Sequence, residues 1–190
     1  MPTITAVILA GGRSRRMGTD KALLRWRGEP MIQRVASVAE VCCSSVAVLT
    51  PWPERYVSLL PPQTLYMRDD YPDSGPLWAL AQALQQVHTP WVLLLACDLP
   101  CLDASVIQNW IQTLPEQKAA LAYVPYGRSQ WEPLCGLYHT GGRLVLQSFL
   151  EQGGRAFQAW LTEIDAVPLA LDEHTTAMLR NCNHPEDLEG

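Results

Sequence analysis

Short apolar runs alternate with amphipathic segments along the whole chain. The run 4–10 is rich in β-forming residues and ends at two glycines, which predicts a buried strand of a parallel sheet. Further strands are predicted at 44–50, within 63–70, and at 91–98, 118–126, 133–139 and 165–171. Apolar residues at helical spacing predict helices at 30–42, 75–87, 105–114, 142–153 and 155–164, and a terminal helix that begins within 183–190. This alternation predicts a mostly parallel sheet with helices on both faces.

The pattern contains no internal repeat, no low-complexity stretch and no linker. A chain of 190 residues has the length of one domain, so we expect a single domain over 1–190 with a three-layer α/β/α architecture. In such sheets ligands bind beyond the carboxyl ends of the strands. The glycine-rich and basic segment after 4–10 and the aspartate that ends 91–98 are both predicted to lie at that edge.

Charge and cysteine usage narrow the classes of ligand. The chain has 19 acidic and 14 basic residues and a formal net charge of -5, which argues against general binding to nucleic acid or membrane surfaces. No apolar run near the N-terminus has the length of a signal peptide or membrane span, so a cytoplasmic location is expected. The 6 cysteines include no C-x-x-C pair, so we expect reduced thiols rather than a disulfide framework or zinc site.

A glycine-rich and basic loop follows the first predicted strand. Gly11 and Gly12 allow backbone amides to approach a phosphate closely, and Gly18 adds a second flexible point. Four cations follow the glycine pair: Arg13, Arg15, Arg16 and Lys21. The spacing fits neither G-x-x-x-x-G-K-[ST] nor G-x-G-x-x-G. A glycine turn followed by a solvated basic loop is the alternative, but the clustered cations in an acidic chain favour a cradle for nucleotide phosphates.

Asp98 ends the apolar run 91–98. A carboxylate at the end of a buried strand needs a partner, because desolvating a charge costs several kcal/mol. Magnesium combines one or two carboxylates with substrate phosphates, so Asp98 is predicted to be a magnesium ligand. The alternative is a helix N-cap, but Asp103 lies directly before the helical segment and is better placed for that role.

The segment "MRDDYPDSGPLWAL" (67–80) joins a predicted strand to a predicted helix. Gly75 and Pro76 let that helix begin close to a ligand, with its N-terminal amides directed towards it. Asp69 or Asp70 could accept hydrogen bonds from a base or a ribose. Taken alone, the segment is more typical of a polar turn with a capping residue such as Ser74.

The opening stretch "LAGGRSRRMGTDKALL" (9–24) resembles the opening motif of molybdenum cofactor guanylyltransferases. Four more segments fit that family in order: "DDYPDSGPL" (69–77), "ACDLP" (96–100), "EPLCGLY" (132–138) and "NCNHPEDL" (181–188). These enzymes transfer GMP from GTP to the terminal phosphate of molybdopterin and release pyrophosphate. The resemblance implies a Rossmann-like nucleotidyltransferase fold of the GT-A type, a Mg²⁺ cofactor, GTP and molybdopterin or Mo-molybdopterin as substrates, and proteins that deliver or accept the cofactor.

The resemblance also implies roles for single residues. The catalytic set is Arg16, Lys21 and Asp98, of which Asp98 would bind the metal. The nucleotide-binding set is Leu9, Ala10, Gly11, Gly12, Lys21, Asp69, Asp70 and Asp98, with Asp70 the alternative to Asp69 because the spacing varies in the family. Asn181 and Asn183 would help to bind the acceptor.

The sequence departs from the family at two places. Trp78 and Ala79 follow "GPL", where the family usually has Ala-Gly, and His184 replaces a threonine. Three other functions stay open. A cytidylyltransferase for the cytosine cofactor more often has "LAAG" where this chain has "LAGG", and a sugar-phosphate nucleotidyltransferase is usually longer. A non-catalytic GTP-binding factor would release no pyrophosphate.

Overall fold

The computed structural model describes residues 2–11, 20–115 and 120–182. The strands are β1 (Ile4–Leu9), β2 (Arg25–Trp26), β3 (Glu29–Pro30), β4 (Ser45–Thr50), β5 (Leu65–Arg68), β6 (Trp91–Ala96), β7 (Ala122–Gly127), β8 (Gln130–Trp131), β9 (Cys135–His139) and β10 (Val167–Ala170). The helices are α1 (Met31–Cys42), α2 (Pro76–Gln86), α3 (Ala104–Gln112), α4 (Arg143–Glu151), α5 (Phe157–Glu163) and α6 (Glu173–Met178).

The main sheet is mixed and mostly parallel. Its strand order is β10-β7-β9-β6-β1-β4-β5, with β8 paired to β7. β1 runs parallel to both β4 and β6, and β4 runs parallel to β5. β9 runs antiparallel to both of its neighbours, β6 and β7. The predicted parallel sheet is therefore confirmed, and β9 is a reversed strand inserted into it.

Helices cover both faces of the sheet. Along β1, Ala6 and Ile8 join the buried cluster that contains α1 and α3, whereas Val7 joins the cluster that contains α2, α4 and α5. This alternation follows from the period of two along a strand. Burying a valine or isoleucine side chain, such as those of Val7 and Ile8, stabilises the fold by roughly 1.5–3 kcal/mol. The expected three-layer architecture is confirmed.

The sequence pattern missed four short elements, namely β2, β3, β8 and α6. The β2–β3 hairpin turns through Arg27 and Gly28, whose φ angles of 48° and 85° are those of a tight primed turn. Strands of two residues carry no periodicity, so β2, β3 and β8 left no signal. α6 is held by a capping box between Asp172 and Thr175. The terminal helix predicted within 183–190 lies outside the described residues.

Within the described ranges, none of the helices combines the length and the apolar character needed to cross a bilayer.

Candidate active site

A cavity of about 280 Å³ opens at the carboxyl edge of the parallel strands. The ends of β1, β4 and β6, the residue before β9 and the N-terminus of α2 form its walls. The charged residues among its described lining are Asp20, Lys21, Asp69 and Asp98. This is the edge at which sheets of this type bind ligands.

Backbone hydrogen bonds keep the strand ends in line below the cavity. The Ala10 N–H donates to the Leu49 carbonyl over 3.0 Å, and the Cys97 N–H donates to the Leu9 carbonyl over 3.3 Å. The lining includes three of the predicted nucleotide contacts, Leu9, Ala10 and Gly11. A Cβ on Gly11 would lie 2.6 Å from Cδ of Pro51, so only glycine fits there without movement. The backbone of β1 therefore continues into the cavity wall without a side chain at this point.

Lys21 and Asp98 form an ion pair inside the site. Lys21 Nζ lies 3.4 Å from Asp98 Oδ2, and the two side chains are 24% and 17% exposed. Lys21 begins a single 3-10 turn, Lys21–Leu23, and Asp98 lies just beyond the end of β6. The fold thus brings together two residues that were singled out in separate motifs.

Asp20 holds the turn that carries Lys21. Its Oδ1 accepts a hydrogen bond from the Ala22 N–H over 3.1 Å, and its Oδ2 accepts from Tyr56 Oη over 2.6 Å and from Arg55 Nη1 over 3.3 Å. Tyr56 is fully buried, and this burial, followed by its hydrogen bond to Asp20, raises the pKa of the phenol well above its ordinary value. The hydroxyl therefore stays protonated and donates to Asp20 at physiological pH.

Sequence reasoning gave Asp20 no role. The feature of the sequence that could have indicated a role for Asp20 is its position directly before Lys21. Its side-chain partners Arg55 and Tyr56, however, come from the segment after β4. Arg55 is held in turn by the ring of Trp52, with the guanidinium carbon 4.2 Å from the ring centroid. No local pattern in the sequence links these residues to the loop after β1.

Asp69 and Asp70 have different environments. Asp69 lines the cavity, and its Oδ1 accepts hydrogen bonds from Gln82 Nε2 over 2.8 Å and from the Tyr71 N–H over 2.9 Å. Asp70 has an exposed side chain, is absent from the described lining, and donates its backbone N–H to Gln82 Oε1 over 3.0 Å. Of the two aspartates, Asp69 is therefore the one that belongs to the described cavity lining.

The N-terminus of α2 forms one wall of the cavity. Gly75 is its N-cap with a φ of 89°, a left-handed conformation that favours glycine, and Pro76 occupies the first helical position. Ser74, the capping residue considered from the sequence, is replaced in that role by Gly75, which makes no side-chain cap. The first amides of a helix attract anions, so this wall suits a phosphate.

Cys97 lies between the last residue of β6 and Asp98. Burial, reinforced by the charges of Asp98 and Asp20, raises the pKa of its thiol well above the ordinary value. The thiol therefore stays protonated and is a poor nucleophile.

The part of the chain that the structure describes contains no group of three or more His, Cys, Asp or Glu side chains arranged to hold a metal ion.

The C-terminal segment is hydrogen-bonded to the backbone of Asp98, although Asn181 and Cys182 are not part of the described cavity lining. The Cys182 N–H donates to the Asp98 carbonyl over 3.0 Å, which brings the exposed Asn181 next to the end of β6. Three predicted site residues, Gly12, Arg16 and Asn183, lie outside the described residues.

The sequence and the fold both match known nucleotidyltransferases. Residues 6–167 match the MobA-like NTP transferase domain. The chain is 46% identical to a protein of Trichormus variabilis named a probable molybdenum cofactor guanylyltransferase, over 99% of this chain and 90% of the relative. A relative of the same name from Synechococcus elongatus is 44% identical over 96% of this chain and 94% of its own length.

The chain belongs to the MobA-like NTP transferase family. Its fold is similar to that of molybdopterin-guanine dinucleotide biosynthesis protein A from Archaeoglobus fulgidus, with a TM-score of 0.78, 19% identity and coverage of 97% of this chain and 95% of that chain. The chain is therefore a transferase of the nucleotidyltransferase class, and members of its family generally use a divalent metal ion.

In this MobA-like nucleotidyltransferase, the departure at Trp78 lies beside the cavity. The half-buried Trp78 ring packs against Tyr71, with ring centroids 5.3 Å apart, and against the guanidinium of Arg155 at 5.8 Å. Ala79, the next residue, lines the cavity, whereas Trp78 is not part of the described lining. The large ring therefore packs against the neighbouring surface and leaves the described cavity open.

Proposed function

We propose that this nucleotidyltransferase transfers GMP from GTP to the terminal phosphate of molybdopterin or Mo-molybdopterin and releases pyrophosphate. The observation that carries the proposal is the Lys21–Asp98 pair in a cavity bordered by the N-terminus of α2. The choice of base and acceptor is supported by the relatives named molybdenum cofactor guanylyltransferases, at 44% and 46% identity.

The reaction needs positioning and charge neutralisation more than covalent chemistry by the protein. A phosphate oxygen of the acceptor attacks the α-phosphorus of GTP, the bond from that phosphorus to the bridging oxygen breaks, and pyrophosphate leaves. In our proposal Lys21 and Arg16 bind the phosphates and stabilise the charge that builds up on the oxygens. The protonated state of Cys97 fits a reaction without a thiolate nucleophile.

The nucleotide is proposed to lie along the ends of β1 and β5. The backbone of Leu9, Ala10 and Gly11 borders the base and sugar, and Gly12 shapes the loop that follows. Asp69, which lines the cavity, accepts hydrogen bonds from the nucleoside, and Asp70 is the less suitable candidate because it is exposed and is not part of the described lining.

Asp98 is the proposed magnesium ligand. Its partly exposed carboxylate borders a cavity large enough for phosphates, and one carboxylate with phosphate oxygens and water is a usual ligand set for this ion. When bound, Mg²⁺ neutralises charge on the phosphates.

Asn181 and Asn183 are proposed to help hold the acceptor. The 190 residues are proposed to act as one domain.

Nucleotide titrations test the base. We expect GTP with Mg²⁺ to raise the melting temperature by roughly 5–10 °C at a hundredfold excess over its dissociation constant, because binding then adds about 2.7 kcal/mol of stability. CTP and ATP are expected to give smaller shifts, and Asp98→Asn is expected to lose the shift. A larger shift with CTP would favour the cytidylyltransferase, and a protein indifferent to all three would contradict the proposed function.

Pyrophosphate release tests turnover. The wild-type protein with GTP, Mg²⁺ and molybdopterin is expected to release pyrophosphate only when the acceptor is present. Binding of GTP without any release would support the non-catalytic factor, and release with a sugar phosphate as acceptor would support the sugar-phosphate nucleotidyltransferase.

A further inference from the structure

We propose that Gln82 is a positioning residue for the nucleotide. It holds the carboxylate of Asp69 in the orientation that binds the nucleoside part of GTP. The inference rests on the proposed function, and it assigns to α2 a role beyond its N-terminus.

The hydrogen bonds of Gln82 define its amide orientation. Its Nε2 donates to Asp69 Oδ1 over 2.8 Å, and its Oε1 accepts from the Asp70 N–H over 3.0 Å. The opposite orientation would direct the amide oxygen at a carboxylate and the amide nitrogen at an N–H group. One side chain therefore fixes both the Asp69 carboxylate and the backbone that follows it.

The bonds to Asp69 converge on a single oxygen. Gln82 Nε2 and the Tyr71 N–H both donate to Oδ1, so the plane of the carboxylate is set by the protein. Oδ2 is then the oxygen that can accept from a hydroxyl or a ring N–H of the nucleoside. A carboxylate held in place loses less conformational freedom when the ligand binds, which favours affinity.

The burial of Gln82 supports this role. Gln82 is 6% exposed, on a helix whose neighbouring residues Ala81 and Ala83 are also buried. Burying an amide among apolar side chains is unfavourable unless the amide is hydrogen-bonded. The bonds to the Asp69–Asp70 segment satisfy it, so α2 and the loop after β5 are joined at the cavity wall.

Gln82→Met tests the proposal by removing both hydrogen bonds while keeping an unbranched side chain of similar size. We expect the KM for GTP to rise about tenfold with kcat nearly unchanged, because a charge-assisted hydrogen bond to Asp69 is lost. Gln85→Met is the matched control, since Gln85 is exposed on the same helix, and its KM should equal that of the wild type.

Gln82→Glu gives a readout that a merely structural role would not produce. Burial and the adjacent Asp69 carboxylate raise the pKa of a carboxyl group at this position. Its protonated form donates to Asp69 as the glutamine does, whereas its ionised form repels it. We therefore expect a raised KM for GTP at pH 8 that falls towards the wild-type value as the pH is lowered to 5.5.

The wild-type protein is the reference over the same pH range, because Asp20, Lys21 and Asp98 also line the cavity. An unchanged KM in folded Gln82→Met would overturn the positioning role. If that variant does not fold, a Gln82→Glu variant whose KM follows the wild-type pH profile overturns it instead. A wild type that does not bind GTP contradicts the proposed function itself, so the two failures are distinguishable.

Discussion

At the scale of single residues, the three carboxylates of the cavity are held by different kinds of partner. Asp98 pairs with the ammonium of Lys21, Asp20 accepts from a buried phenol, and Asp69 accepts from a buried amide. Each partner restricts the carboxylate to one orientation, so three negative groups can line one cavity with defined directions. Lys21 is the one cation in the described lining, and it forms an ion pair with Asp98.

Lys21→Ala is predicted to lower kcat/KM for GTP by about 10²–10³-fold, because a donor to the transition-state charge is lost. The chain should still fold, and the free energy of unfolding should fall by about 1–3 kcal/mol, because the mostly buried Asp98 carboxylate loses its partner. Steady-state kinetics and urea unfolding measure the two quantities.

Arg143→Ala is the matched control for Lys21→Ala. Arg143 is exposed and begins α4 after the end of β9, where His139 pairs with Trp91, the first residue of β6. It therefore lies at the sheet edge opposite the cavity. Comparable losses of kcat/KM in both variants would contradict the role of Lys21.

Tyr56→Phe is predicted to lower the free energy of unfolding by roughly 1–3 kcal/mol, because the Asp20 carboxylate loses a buried donor. Tyr66→Phe is the control: its hydroxyl is buried and has no hydrogen-bond partner within the described parts of the chain, so its removal should cost little. Thermal or urea unfolding of both variants gives the comparison, and equal losses would contradict the importance of the Tyr56–Asp20 bond.

The sequence predicted Lys21, Asp69 and Asp98 because each lies in a recognisable motif or at the end of a predicted strand. It did not predict Tyr56 or Gln82, which hold two of the cavity's carboxylates. Their contacts depend on how β4, β5 and α2 pack together, and a polar residue within an ordinary apolar pattern carries no sign of a distant partner.

At the scale of elements, Asp103 joins two helices. It caps α3 as predicted, accepting from the Ser105 N–H over 2.8 Å, and its Oδ2 lies 2.9 Å from Nε2 of His174 in α6. The hydrogen bonds from Ser105, followed by that from His174, lower the pKa of Asp103 from 3.8 to about 2. The cap is therefore strongest when Asp103 is ionised.

The pH dependence of stability follows from this shift. A lowered folded pKa adds stability above pH 4, and the contribution is lost as the pH falls towards 2. Asp103→Asn should reduce the slope of melting temperature against pH in that window, whereas His174→Ala should reduce it less, because Ser105 provides the larger part of the shift. An unchanged slope in Asp103→Asn would contradict the prediction.

The elements themselves were predictable to different degrees. Long runs such as 91–98 and 75–87 carry a clear period, and the structure has β6 and α2 there. The orientation of β9 was not predictable, because a strand of five residues has the same pattern in either direction. Its reversal places Leu134, the residue before it, at the cavity wall.

At the scale of the whole molecule, the site belongs to the sheet edge rather than to any one segment. The termini of β1, β4 and β6 converge there, and residues from Leu9 to Leu134 take part in the lining. Asp20 and Lys21 follow the most conspicuous motif in the chain, and their partners Arg55, Tyr56 and Asp98 come from the segments after β4 and β6. This explains why several weak motifs in order predicted the function better than any one of them.

The position of β1 between β4 and β6 also has a consequence for biosynthesis. Ile4 pairs with Trp91 and Leu9 with Ala96, so one edge of β1 has no partner until residues 91–96 have left the ribosome. Pairings between such distant segments form slowly, and an open apolar strand edge favours aggregation in the meantime. If the site binds GTP as proposed, the nucleotide can stabilise the fold only after Asp98 has left the ribosome.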